Sequence, residues 1–174
     1  MTKILNTIFH CPKCKKKISN ANSCSNCSKI YYDDDGFFDF TDTPKESTNL
    51  EFSKLLSNIQ SNGYPKAVKE FLHSHPVSEY RFNKKEGSLT FRTTSKNNSR
   101  CLVLNSDLGN IPENLSRMFD EIYSLENDKD KLLIQKFRFQ ENKIHNVILV
   151  RSGIDSLPFP DEDFDLVILN GIKI

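Results

Sequence analysis

Four cysteines carry the plainest chemistry in this chain: Cys11-Pro-Lys-Cys14 and Cys24-Ser-Asn-Cys27. Each pair has two intervening residues, and nine residues separate the pairs. A two-residue spacer lets both thiolates of a knuckle face one ion, and four thiolates complete a tetrahedral zinc site with no open position. The same residues could form disulfides or a redox Cys-x-x-Cys. A reducing compartment works against disulfides. Two matched pairs work against a lone redox motif, which belongs at a helix start in a βαβ unit. The spacing therefore predicts one structural Zn2+ on Cys11, Cys14, Cys24 and Cys27. His10 stands beside the first pair, but the cysteines already fill the site. Cys101 opens a predicted strand and reads as a small buried hydrophobe.

Such a site needs short elements to hold it. Ile30-Tyr31-Tyr32 predicts a strand after the second knuckle, Asp33-Asp34-Asp35-Gly36 a turn, and Phe37-Phe38-Asp39-Phe40 a second strand. Lys13, Lys15, Lys16 and Lys17 could contact phosphates. The Asp33–Asp35 run cancels that patch, so the lysines are read as solvated charges that offset a four-thiolate site. The net charge is +1 and the pI about 7.6. Neither calls for nucleic acid or an anionic membrane as partner. No apolar run approaches the roughly 20 residues of a membrane span, and the N-terminus lacks a signal-peptide core. Cytoplasm is the expected location.

A polar stretch at 41–47 with Pro44 predicts a linker. Thr48-Asn-Leu-Glu51 looks like a capping box. Phe52, Leu55, Leu56 and Ile59 then form one apolar stripe of a helix that Asn62-Gly63 ends. Pro65 opens a second helix with Val68, Phe71 and Leu72 on one face. His73 and His75 at its end are read as satisfied or solvated. Residues 81–99 are expected to be irregular. From residue 100 the pattern alternates. Strands are expected at Cys101–Leu104, Glu121–Leu125, Asn146–Val150 and Phe164–Leu169, with helices at Pro112–Phe119 and Lys129–Phe139. Strand–helix alternation predicts parallel strands, with ligands beyond their carboxyl ends.

Over about residues 99–171, the order Leu104-Asn105-Ser106-Asp107-Leu108-Gly109, Glu126, Leu157-Pro158-Phe159-Pro160 and Asn170-Gly171 resembles class I S-adenosylmethionine-dependent methyltransferases of the small-molecule branch. The cysteine segment with Asp35-Gly36-Phe37-Phe38-Asp39-Phe40 is similar to zinc ribbons that precede some of them. The resemblance implies a loop at Asn105–Gly109 facing the methionine end of S-adenosylmethionine. Asn105 and Asp107 stand where the family has glycines, and only Gly109 matches. Val103 replaces a usual acid. Glu126 would accept from both ribose hydroxyls. Gly153 takes the place of an acid for the adenine amino group, with Ile154 and Asp155 next. Asn170 would lie beside the cofactor's methyl group.

These readings predict an α/β chain: an N-terminal zinc ribbon, then helices, then an incomplete Rossmann-like parallel sheet. The expected divisions are 1–43 for the ribbon, 44–98 for a helical connecting segment, and 99–174 for the N-terminal half of the methyltransferase domain. The expected strand order is third, second, first, fourth, with the fourth on an open edge. That edge predicts self-association or a partner supplying the rest of the sheet. By resemblance the chain is an S-adenosylmethionine-dependent methyltransferase of a small-molecule acceptor, expected to be inactive alone. The alternative is a non-catalytic zinc-ribbon module with a decayed Rossmann half that binds protein or RNA.

Overall fold

In the computed structural model the described residues are 9–18, 23–31, 35–41, 49–83 and 98–171. Apolar β-branched and leucine-rich runs build a parallel sheet of five strands. These are β1 (Phe38–Asp39), β2 (Arg100–Leu104), β3 (Glu121–Glu126), β4 (Val147–Arg151) and β5 (Leu166–Leu169). Their order is β1-β4-β3-β2-β5. The four strands read from sequence thus stand in the expected order.

The strand at Phe38–Asp39 differs from expectation. The strand expected at Phe37–Phe40 is limited to Phe38–Asp39. It lies parallel to β4, with Phe38 opposite Val150 and Asp39 opposite Arg151. Two forces draw it there. β4 would otherwise present an unpaired edge. In addition, Arg151, only 2% exposed, donates to the Asp39 carboxylate at 3.1 Å. Tyr31 keeps one link, its carbonyl accepting from the Asp39 N–H. The expected Tyr32 and Asp33–Asp34 positions, residues 42–47 of the linker expected at 41–47, Thr48 of the capping box and the stretch at 84–97 lie outside the described residues.

Helices α4 (Asn110–Leu115) and α5 (Lys129–Glu141) connect β2 to β3 and β3 to β4. Each step moves one strand in the same direction, so both helices cover the same face, as right-handed crossovers require. Cys101, Val103 and Ile122 of the sheet pack there against Ile111 and Leu115 of α4. Leu149 packs against Leu132 and Phe139 of α5. The helix expected at Pro112–Phe119 is shorter and begins earlier. Gly109, in the left-handed region, starts it, and Pro112 sits in its first turn, where its missing N–H is not needed.

Outside α5 lies a second helical layer, α1 (Leu50–Asn62) and α2 (Tyr64–Ser74). The expected stripe of Phe52, Leu55, Leu56 and Ile59 is buried, packed with Phe71, Ile134 and Leu108. The N-cap is Asn49 rather than Thr48: its side chain accepts from the Glu51 N–H at 3.0 Å. His75 stacks on Phe71 and meets the Phe71 carbonyl, a satisfied histidine. A short helix, α3 (Glu79–Asn83), follows.

The opposite sheet face carries no helix among the described residues. The cysteine knuckles cover it. Phe9, Ile18, Cys24, Tyr31 and Phe40 form one core with Leu102, Tyr123, Leu125, Val150 and Phe159. Phe9 lies 5.0 Å from Phe40, 5.9 Å from Tyr123 and 5.5 Å from Phe159, centroid to centroid. Aromatic pairs at such spacing each contribute about 0.5–1.5 kcal/mol beyond their buried area. No helix among the described residues is long and apolar enough to cross a membrane.

Candidate functional site

The two knuckles fold alike. Each Cys-x-x-Cys turn is closed by an isolated antiparallel bridge, His10 with Lys17 and Ser23 with Ile30. Each has a left-handed residue directly after its second cysteine, Lys15 and Ser28. The outcome is four sulfurs all within 4.8 Å of one another. Cys11 and Cys27 are 3.9 Å apart, Cys14 and Cys24 3.5 Å. A tetrahedral ion with Zn–S bonds of about 2.3 Å needs sulfurs roughly 3.8 Å apart, so the donor set fits zinc.

The surroundings favour thiolate at Cys11 and Cys14. Burial opposes ionisation of Cys11, but the Tyr31 hydroxyl 3.0 Å away and the local N–H groups outweigh it, bringing its pKa down to about 6. Cys14 is also lowered, chiefly by the Lys16 N–H. Cys27 is raised to about 12, first by its hydrogen bond with Cys14. His10 lies outside the donor set. Its N–H donates to the Pro158 carbonyl at 2.9 Å, tying the first knuckle to the Leu157–Pro160 loop. Lys13, Lys15, Lys16 and Lys17 are exposed. Cys101 is fully buried and burial pushes its thiol up to about 12, so it is inert packing.

The second centre is the crevice at the carboxyl ends of β2 and β5. Strand order reverses there, since β3 and β4 lie on one side of β2 and β5 on the other. Such a switch point is where open α/β sheets bind ligands. The β2 loop keeps a glycine-like backbone without the glycines. Asn105 and Asp107 have φ of 55° and 54°, and Gly109 of 82°. Asn and Asp tolerate the left-handed region better than other side chains.

Both side chains are turned inward. Asn105 Nδ2 donates to the Asn170 carbonyl at 2.7 Å, bridging the loops after β2 and β5. The Asp107 carboxylate takes a forked pair from Arg81 of α3, with Lys131 of α5 3.1 Å away. Burial works to raise the Asp107 pKa, but Arg81 and Lys131 hold it below the usual range. Gly109 has a separate reason to be glycine. A Cβ there would stand 2.9 Å from Gln135 Cγ and Phe139 Cζ of α5. Gln135 in turn joins the loop to the sheet, donating to Ser106 Oγ and the Asp107 carbonyl and accepting from Ser124.

Glu126 ends β3 and is 4% exposed. One carboxylate oxygen accepts from the Asn127 and Asp128 N–H groups, the other from the Asp107 N–H at 3.0 Å. Burial raises its pKa against the opposing pull of Lys131 and those donors. In this arrangement Glu126 ties the β2 and β3 loops together. Ile154 and Asp155 lie exposed in the turn after β4, and the buried Ser152 hydroxyl braces that turn. The structure thus brings Asn105, Asp107, Gly109, Glu126 and Asn170 to one end of the sheet, with Ile154 and Asp155 after the neighbouring strand. A cavity at this end of the sheet, lined by Arg81, Ser106, Asp107, Asn110 and Asn170, is about 60 Å³. Drug-sized ligands occupy clefts of about 300–1,000 Å³.

Sequence reasoning missed Arg81 and Lys131. Their partner Asp107 lies 26 and 24 positions away, with no fixed spacing to betray the contact. Gln135 gave one faint signal, a polar residue on the apolar side of α5.

No protein-family model and no curated protein matches the chain. Several solved structures are similar to it. One is the YcgJ protein of Bacillus subtilis, at 24% identity and TM-score 0.42, the match covering 44% of this chain and 32% of that one. The chain therefore spans about a third of that protein's length. A second, from Methanococcus maripaludis, is described as an S-adenosyl-L-methionine-dependent methyltransferase. It matches at 18% identity and TM-score 0.48, over 74% of this chain and 54% of that one. A third, a methyltransferase of Streptococcus mutans in complex with SAH, matches at 21% identity and TM-score 0.37, over 41% and 42% of the two chains.

Proposed function

We propose that the chain binds S-adenosylmethionine at the β2–β5 crevice and belongs to a methyltransferase of the small-molecule type, with one structural zinc on the four cysteines. The observation that carries the reading is the β2 loop. It keeps left-handed backbone at Asn105, Asp107 and Gly109, at the switch point, and Glu126 ends the neighbouring strand beside it. A generic α/β loop has no need for three left-handed residues in five positions.

The residues divide the work of binding. The β2 loop would face the methionine end. Glu126 is placed for ribose hydroxyls once its oxygens exchange partners. Gly153, Ile154 and Asp155 stand where an adenine ring would lie, and Asn170 beside the methyl group. The bound cofactor would supply an electrophilic methyl, and the protein would act chiefly by positioning. No general base is assigned. Zinc would hold the knuckles against the sheet and take no part in transfer.

A second reading, a non-catalytic module recognising protein or RNA, draws support from the inward Asn105 and Asp107 side chains, which occupy space a cofactor needs. Photocrosslinking with labelled S-adenosylmethionine separates the two. Label recovered on peptides spanning 105–109 or 126, and competed away by S-adenosylhomocysteine, supports cofactor binding. Label spread without competition favours the second reading.

A further inference from the structure

β4 runs through Val147-Ile148-Leu149-Val150 and then ends on a buried charge, Arg151. Burying a guanidinium is costly unless its donors are paired. Two acceptors meet it from opposite neighbours. Nη1 donates to Asp39 Oδ2 of β1, and Nε donates to the Asn127 carbonyl just after β3, each at 3.1 Å. In the sheet Arg151 lies opposite both Asp39 and Glu126.

Asp39 is itself held. Its other carboxylate oxygen accepts from the N–H and the hydroxyl of Thr41, at 2.8 and 2.6 Å. Its N–H donates to the Tyr31 carbonyl, and the Tyr31 hydroxyl meets the Cys11 sulfur at 3.0 Å. On the far side, the Asn127 carbonyl shares one peptide with the Asp128 N–H, which donates to Glu126 Oε1 at 3.2 Å. A peptide is planar, so holding its carbonyl sets the direction of its N–H. A donor on the carbonyl also strengthens that N–H as a donor in turn. The Ser152 N–H, next after Arg151, donates to the Glu126 carbonyl at 3.3 Å. Polar contacts thus run from the cysteine knuckle to the Glu126 carboxylate.

Tying β1 to the sheet needs only the bond from Arg151 to Asp39. The second bond is aimed at the peptide that fixes Glu126. The guanidinium is one rigid plane, so anchoring Nη1 on Asp39 aims Nε. Resting on the function proposed above, we infer that Arg151 is a positioning residue for the crevice: anchored by Asp39, it holds the Asn127–Asp128 peptide in the orientation that presents Glu126 to the ligand. Through β1 the cysteine segment is then part of the site's support as well as of the core.

The test is a double-mutant cycle, read by calorimetric titration of the full zinc-loaded chain with S-adenosylhomocysteine. Arg151→Met and Arg151→Lys are each made alone and together with Glu126→Ala. Arg151→Lys keeps a charge for Asp39 and so guards against simple loss of fold, but it lacks the planar fork. Each is expected to weaken binding at least about fivefold in the parent chain and less than about twofold in the Glu126→Ala chain, because the effect passes through that carboxylate. A general loss of structure would weaken binding by the same factor in both backgrounds. Equal factors, or no weakening in the parent chain, would overturn the inference and leave the proposed function standing. Failure of the parent chain to bind S-adenosylhomocysteine would overturn both.

Discussion

Asn105 shows how one residue can keep a loop's shape while changing what the loop can hold. Its left-handed backbone does what glycine does elsewhere, and its amide then reaches across to the Asn170 carbonyl. Asn105→Gly keeps the backbone and removes the bridge. It should cost about 0.5–1.5 kcal/mol of stability and tighten S-adenosylhomocysteine binding, which denaturant titration and calorimetry check. Glu126 makes a pH prediction. Burial raises its folded pKa above the ordinary 4.5. The folded state therefore binds the proton more tightly than the unfolded chain. Its contribution is greatest below pH 4.5 and is lost as pH rises through the folded value. Asp107, lowered, acts oppositely: its contribution is present above its ordinary 3.8 and is lost as pH falls below that value. In urea melts, Glu126→Gln should flatten the fall in stability above pH 4.5. The motif positions were legible because loop and acid fall in order along the chain. The partners were not, because Asn105 with Asn170 and Arg81 with Asp107 are long-range pairs that local spacing does not encode.

Among elements, strands β2 to β5 and both crossover helices were readable from apolar runs and turn residues, since local pattern decides them. β1 was readable as a strand but not as a partner of β4. Pairing there depends on the buried Arg151–Asp39 contact, 112 positions apart in sequence. The α4 boundary was misjudged because Leu115, Met118 and Phe119 keep a helical spacing after the helix has ended. Gly109 joins loop and helix. Gly109→Ala forces a side chain onto φ 82° and against Gln135 and Phe139, and should destabilise by about 1–3 kcal/mol, read from denaturant midpoints. β5 exposes Val167 and Leu169, at 54% and 50%, on an edge strand. Such an edge promotes pairing with another chain. We expect concentration-dependent association by light scattering, reduced by Val167→Lys.

At the scale of the molecule, the knuckles and the sheet share one aromatic core, which no local pattern in the sequence announces. The composition gave the zinc site and the sheet separately, and only the fold lays the first over the second. Zinc should therefore stabilise the whole protein rather than an appendage. Chelation, or Cys24→Ser, should lower a single cooperative melting transition and release about one equivalent of zinc. Two independent transitions, or less than about half an equivalent in protein purified without chelator, would count against this. The central claim concerns the crevice, and calorimetric titration of the zinc-loaded chain with S-adenosylhomocysteine tests it most directly, with Glu126→Ala as companion. The account predicts saturable binding near one ligand per chain, weakened at least about tenfold, or about 1.4 kcal/mol, in a Glu126→Ala protein that still folds. Binding unchanged in that variant, or no saturable binding by the wild type, would contradict it.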